Sequence, residues 1–360
     1  MKNMMHELST ILQILISFQC FFFSGFLLFS RRNRHVSNRI LSVLLLVLAV
    51  HMAMNLLLYQ FCYACWQAIT IGLGFAYGPL LYMYTCSLVF RDFRAKQAHL
   101  AHIIPSLSAL ILMMNADLPI SFFALSILFS LGGYCFVTWR YLKKYREILK
   151  HTRSQYDVVA LQWLSKLLLI TLVLFGINTF NILSNLTHVG FSITFGEAIQ
   201  FTGLLLLVNY IIYYGLQYPN LFEGITEEDT KLAHQATKDI GRPSDAQVLE
   251  VLHIVDKYME KEKPYLNPDL VIKTLGRKLS LNARQVSQAI NLGKQQNFSE
   301  YVNGFRIEFA KKLLEEDKEN SISILDIMLR AGFNTKSNFN RSFKKTTGMT
   351  PKEFRSAHRS

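Results

Sequence analysis

Two short stretches near the C-terminus concentrate side chains able to read a pattern of hydrogen bonds. Arg284, Gln285, Ser287, Gln288 and Asn291 form one set, and Ser337, Asn338, Asn340, Arg341, Lys344 and Lys345 form the other. Arginine offers a two-pronged donor to guanine, and asparagine or glutamine pairs in a similar way with adenine, so these types suit base edges. Bond-making chemistry finds no comparable support. The chain contains no His-x-x-Glu-His or His-Glu-x-x-His pattern, no Gly-x-Ser-x-Gly elbow and no Walker-type glycine loop. His51, His99 and His102 do not make a metal site by spacing, and neither a metal nor a cofactor is expected.

The elements that must present these sets are repeated. A shift of 53 positions lays Leu275 on Met328, Val286 on Phe339, Ile290 on Phe343, Glu300 on Glu353 and Tyr301 on Phe354. A supersecondary unit recurring at fixed spacing is an organisational signal, and here the unit reads as helix, short turn, helix. The first copy predicts a helix over Leu270–Leu279, a turn at Ser280–Asn282 with Asn282 as N-cap, and a second helix to about Leu292. Val286, Ala289 and Ile290 face inward there, which leaves the polar set on the outer face. The second copy predicts helices over Ile324–Ala331 and Lys336–Thr346 around a turn at Gly332, with a last short helix at Lys352–Ala357. An amphipathic helix over Gln247–Glu262 precedes both copies, and a long helix over Ser299–Glu316 joins them.

The stretch Gly332-Phe333-Asn-Thr-Lys-Ser337-Asn-Phe339-Asn-Arg341-Ser-Phe343-Lys344, continuing to Gly348-Met-Thr-Pro351-Lys-Glu-Phe354-Arg355, resembles the signature of the AraC/XylS family of bacterial transcription regulators. Phe298-Ser-Glu300-Tyr301 and Arg306-Ile-Glu308-Phe-Ala310-Lys-Lys-Leu313-Leu314 are similar to that family's linker region. The chain departs from the pattern at Gln295 (usually Gly), at Leu275-Gly276 (usually Leu-Ala) and at Met328 (usually Ala). The resemblance implies that each second helix enters a major groove of double-stranded promoter DNA, with the readers about one duplex turn (~34 Å) apart. It implies base reading by Arg284, Ser287 and Gln288 from the first copy and by Ser337, Asn338 and Arg341 from the second. Lys344, Lys345 and Arg355 would meet phosphates, which position a protein without specifying sequence.

Composition divides the chain of 360 residues. Hydrophobic residues make up 51% and charged residues 18%, the latter low against the ~25% of ordinary soluble domains. Seven apolar runs lie near 9–30, 39–59, 67–90, 99–115, 119–139, 160–185 and 195–216, each at or close to the ~20 residues a spanning helix needs. Four, three and six basic residues follow the first, third and fifth runs, whereas the intervening loops have none. Because the cytoplasmic side retains Lys and Arg, seven spans put the N-terminus outside and the C-terminus inside a bacterial inner membrane. The first run ends in arginines rather than a cleavage site, which reads as a retained anchor. The predicted architecture is therefore all-α: a seven-helix membrane domain (1–216), an acidic flexible linker (217–245) and an AraC-type domain (246–360). The last stretch carries 20 Lys+Arg against 13 Asp+Glu, a balance suited to a polyanion.

Polar residues within the runs are costly in a bilayer. Asn178 and Asn181 share a face of the sixth run, Glu197 and Gln200 lie one turn apart in the seventh, and Asn55 sits at similar depth in the second. They suit either an outward pocket for a small-molecule signal or hydrogen bonds between helices. Cys62 and Cys65 suit a passive disulfide or two free thiols, since a redox pair would need a thioredoxin-like context. Three functions remain open. One is a membrane-anchored one-component regulator, in which ligand alters the pairing of a homodimer. The others are a transporter or membrane enzyme with an autoregulatory tail, and a tail that binds a protein partner instead of DNA.

Overall fold

Long apolar runs bounded by polar clusters become helices α1 (Lys2–Phe29), α2 (Val36–Phe61), α3 (Tyr63–Val89), α4 (Ile104–Asn115), α5 (Ile120–Thr152), α6 (Val158–Leu186) and α7 (Ile193–Gln217) in the computed structural model. Eight shorter helices follow: α8 (Glu227–Thr237), α9 (Asp245–Glu262), α10 (Ile272–Lys278), α11 (Ala283–Lys294), α12 (Phe298–Glu316), α13 (Ile324–Arg330), α14 (Lys336–Thr347) and α15 (Pro351–Ala357). The structure describes residues 2–29, 35–61, 63–91, 93–94, 97–115, 118–154, 158–186, 193–217, 225–237, 243–317, 319 and 321–358. Among them no strand occurs, and Arg153 and Val271 form an isolated bridge. The all-α expectation holds.

The chain forms two compact units whose boundaries differ from the expected ones. The first comprises Met1–Leu142 and Gln162–Gly224, and the second comprises Lys143–Leu161 and Ile225–Ser360. In the first unit α1 packs on α2 and α7, and α3 packs on α2 and α4. Ser24 and Ser42 meet at 2.8 Å between α1 and α2, each hydroxyl also donating to the other's carbonyl. Such reciprocal bonds satisfy hydroxyls that would otherwise be orphaned in an apolar setting. Five helices among the described residues combine the length and apolarity needed to cross a bilayer: Met4–Phe29, Val36–Leu57, Ile120–Thr152, Gln162–Ser184 and Phe195–Tyr214. The other two are α3 and α4. The fourth run differs for a local reason: it opens as a 3-10 turn (Gln97–Ile103), which leaves 12 residues for α4. Large apolar rings face outward, with Phe18 70%, Phe29 85% and Phe129 88% exposed.

In the second unit the repeat becomes visible as structure. All eight apolar residues matched by the 53-residue shift, from Leu275 to Phe354, are buried. The caps repeat as well. Asn282 and Thr335 cap the two second helices, while Asn297 with Glu300 and Thr350 with Glu353 form reciprocal capping boxes. A cap of this kind stabilises a helix by about 1 kcal/mol because it satisfies amides that lack an intrahelical partner. Phe298, Tyr301 and Val302 of α12 enter a core with Val255, Met259, Leu275 and Ile290. Ile307, Ala310 and Leu314 enter a second core with Ile327, Phe333, Phe339 and Phe343. One helix therefore serves both cores.

At the junction of those cores lies a buried guanidinium. Arg306 is 0% exposed, its Nε donating to the Tyr265 carbonyl at 2.6 Å and Nη2 to the Asn267 carbonyl at 2.7 Å. Nη2 also reaches Ser154 Oγ at 3.1 Å, and Cζ lies 5.6 Å from the Phe333 ring centroid. Burial pushes its pKa down to about 9, with Asp269 opposing, so the group stays charged at neutral pH. Ser154 is itself fixed, since its amide donates to the Leu270 carbonyl at 3.0 Å and its carbonyl accepts from Ser299 at 3.0 Å. A segment that follows α5 is thus built into this unit.

The helix departures from the family pattern have backbone causes. Gly276 is needed because a Cβ there would approach the Leu281 carbonyl to 2.7 Å. Gln295 ends α11 at φ 54, the conformation Gly348 adopts at φ 79 at the end of α14. Gly332 combines φ 83 with a Cβ position 2.6 Å from the Tyr265 carbonyl.

Two expectations follow. Gly348→Ala should cost about 1 kcal/mol, the left-handed penalty alone, because nothing lies within 4 Å of the added carbon. Gly332→Ala should cost clearly more, since backbone must move, and Gln295→Gly should stabilise; urea midpoints of the purified chain give the order. The second concerns Glu300, which accepts from Lys345 of α14 at 2.6 Å. Burial opposes its charge, but Lys345 and the Asn297 amide outweigh burial and hold its pKa below the ordinary value. A depressed folded-state pKa gives stability that is fully present above the unfolded value and lost as pH falls through the folded one. Glu300→Gln keeps the capping box and removes the ion pair. It should lower stability near neutral pH by less than about 1 kcal/mol, the scale of an exposed pair, and converge with the parent in acid.

Candidate nucleic-acid interface

Helix α11 presents the first polar set and α14 the second, and the 53-residue shift makes each an internal control for the other. On α14 the outward side chains are open: Ser337, Asn340, Arg341, Lys344 and Lys345 are exposed. Asn338 departs from expectation at 5% exposed; it accepts from Arg341 Nη2 at 3.1 Å and so orients that guanidinium. Asn340 is the positional counterpart of Ser287, a correspondence the repeat itself carried but the family signature left unassigned.

On α11 the equivalent face is covered. Ser287 is 3% and Gln288 8% exposed, and Arg284 and Asn291 are half-buried. The expectation that this set stands free is therefore corrected for Ser287 and Gln288, which are buried, and for Arg284 and Asn291, which are half-buried, whereas Gln285 is exposed as expected. The physical reason lies in the neighbours. Helix α14 packs on α12, α13 and α15; their counterparts α9, α10 and α12 pack on α11, which in addition meets α8. Leu232 of α8 joins the core that holds Val286 and Ile290, and Ala233 is buried with it. Lys273 of α10 bridges Glu228 at 2.8 Å and Asp229 at 2.9 Å. Burial opposes the charge on Asp229, but the Thr226 amide and Lys273 prevail and hold its pKa low; the two carboxylates raise that of Lys273 against burial.

Helix α8 also corrects the reading of 217–245 as a tether, because Glu227–Thr237 is ordered helix packed on the reader. Residues 218–224 and 238–242 of that stretch lie outside the described ones. Of the expected phosphate contacts, Lys344 is exposed and Lys345 is exposed but paired with Glu300. Arg355 is not outward: Nη2 donates to the Ile322 carbonyl at 2.7 Å and lies 3.5 Å from the carboxylate of buried Asp317. It closes the segment between α12 and α13, a task that the signature alone does not reveal.

The polar residues of the first unit are partly gathered. Asn181 is buried directly over Gly196, so α6 and α7 touch there, and its Nδ2 has no hydrogen-bond partner. Asn178, Glu197, Gln200 and Asn55 are half-buried. Cys65 is disulfide-bonded, while Cys62 lies outside the described residues. Groups of three or more His, Cys, Asp or Glu that could hold a metal do not occur among the described residues.

Comparison with known proteins agrees with this geometry. A model of the helix-turn-helix domain family matches residues 275–357. An uncharacterized HTH-type transcriptional regulator, YtdP of Bacillus subtilis, is 29% identical over 40% of this chain and 18% of its own length. The melibiose operon regulatory protein of Escherichia coli K12 is 33% identical over 24% of this chain and 28% of its own length. The chain thus spans less than a third of either relative. The probable transcription factor PqrA of Proteus vulgaris is 36% identical over 25% of this chain, and the match covers 70% of PqrA. No solved structure matches. With a repeated capped helix-turn-helix, an open polar recognition face and a relative covered over most of its length, the chain belongs to the AraC-type family of helix-turn-helix transcription regulators.

Proposed function

We propose that the chain is a membrane-anchored one-component regulator that binds promoter DNA through α11 and α14 and senses a signal with its apolar unit. The observation that carries the reading is the open face of α14, with Arg341 oriented by Asn338 and flanked by Ser337 and Asn340. Arg341 is placed to donate to a guanine edge and Lys344 and Lys345 to phosphates. Arg284, Ser287 and Gln288 do the same for α11 where that face is free. Asn338 and Arg355 act as positioning residues.

Membrane anchoring is supported by five helices of spanning length and by aromatic rings that face outward, a surface costly in water. Seven spans remain the count that keeps the three basic loops on one side and delivers the tail to the cytoplasm, where promoter DNA lies. The polar set of Asn55, Asn178, Asn181, Glu197 and Gln200 is the proposed signal site, and a homodimer is the proposed acting form. No enzymatic step is included.

The test uses the full chain in nanodiscs and genomic fragments that it retains. Arg341→Ala should weaken binding by about 1–3 kcal/mol and relax sequence preference at one position. Lys344→Ala should weaken all sequences alike and reduce the salt slope by about 1. Retention of genomic DNA no better than of random duplex contradicts the reading.

A further inference from the structure

We propose that α8 is an autoinhibitory clasp: it occupies the DNA-facing side of α11 and must leave before the first reader can enter a major groove. The inference rests on the reading of α11 and α14 as DNA readers and goes beyond it.

The internal repeat supplies the argument. Ser287 and Gln288 correspond to Asn340 and Arg341, and Arg284 and Asn291 to Ser337 and Lys344. In the second copy all four are exposed; in the first, two are buried and two half-buried, while the remaining pair runs the other way, with Gln285 exposed and Asn338 buried. Each core-facing neighbour of α11 has a counterpart around α14, and α8 is the element without one in that matching. A bound α8 and a DNA groove would contact the same side chains.

The seat has the marks of a contact made to be exchanged. Leu232 and Ala233 are the buried residues of α8 among the described side chains. Its polar part sits at the surface, where Glu228 and Asp229 hold Lys273. Two carboxylates on a reader lysine present the charge that a phosphate pair would present, and DNA competes for that lysine in the same currency of salt-sensitive attraction. The fit is also incomplete, because the buried Asn291 Nδ2 has no partner. A base edge can satisfy such an amide, whereas α8 leaves it unpaired.

The position of α8 in the chain gives the clasp a handle. It lies between α7, the last helix of the apolar unit, and α9, the first helix of the reader.

The experiment uses the full chain in nanodiscs and a 40-bp duplex selected by it from a random pool. Hydrogen exchange of the 227–237 amides is followed with and without the duplex, alongside a hydroxyl-radical footprint. The expected result is protection without DNA that falls at least tenfold when the duplex binds. Leu232→Ala, which leaves the charge unchanged, should bind at least tenfold more tightly and protect two half-sites where the parent protects chiefly one. Glu228→Gln should move in the same direction by a smaller factor, and unchanged α12 exchange in both variants verifies an intact core. Equal protection of 227–237 in the DNA complex, or variants that bind no more tightly, overturns the clasp and makes α8 a fixed part of the scaffold. A parent chain that selects no duplex fails instead on the DNA-reading proposal, so the two failures are distinct.

Discussion

The buried guanidinium of Arg306 is the interaction on which the reader depends. A charge inside a protein is tolerated only when its donors are taken up, and here they end on two main-chain carbonyls and two side-chain oxygens. Those partners belong to the segment before α10 (Tyr265, Asn267), the segment after α5 (Ser154) and α12 itself (Asn303). The face of the same group rests near Phe333 of the second core. Three parts of the chain, distant in sequence, thus share one polar centre. Loss of that centre would leave carbonyls buried without donors, a cost of the order of 1–3 kcal/mol each. The long helix α12 contributes side chains to both cores, and Arg306 lies on it between those side chains.

The readers then differ in a manner their common ancestry of pattern does not suggest. The second is ready: its recognition helix is capped, its guanidinium is oriented and its lysines stand outward. The first has a cap and an apolar spine at the matching positions but is packed by α8 as well, with Ser287 and Gln288 buried. A regulator with one reader open and one covered can remain near DNA through the first contact and gain specificity only with the second. In this account the signal would alter the number of readers in use, with no need to reshape either.

What was legible in the sequence is what local periodicity determines. The inward residues from Leu275 to Phe354, the cap Asn282, and the helix limits within a few residues all follow from spacing and type. What was not legible comes from afar. Ser287 and Gln288 are buried although their own neighbourhood reads as an outer polar face, so their burial comes from packing that local pattern does not encode. Arg306 carries a charge at a position where the 3.6-residue period admits an inward residue, and only the carbonyls it meets make that tolerable. Arg355 is drawn inward by Asp317, again beyond the reach of local pattern. The fourth apolar run reads as one segment in composition, whereas in the structure a 3-10 turn precedes a helix of 12 residues that opens at Ile104 and Pro105.

The central claim is that Arg306 holds the two readers as one body. Spin labels placed through Leu292→Cys on α11 and Asn340→Cys on α14, both exposed positions, would report their separation by pulsed dipolar spectroscopy in the full chain. The account predicts a single narrow distance distribution that broadens when Arg306→Ala is added. A distribution equally narrow with and without Arg306 would contradict it.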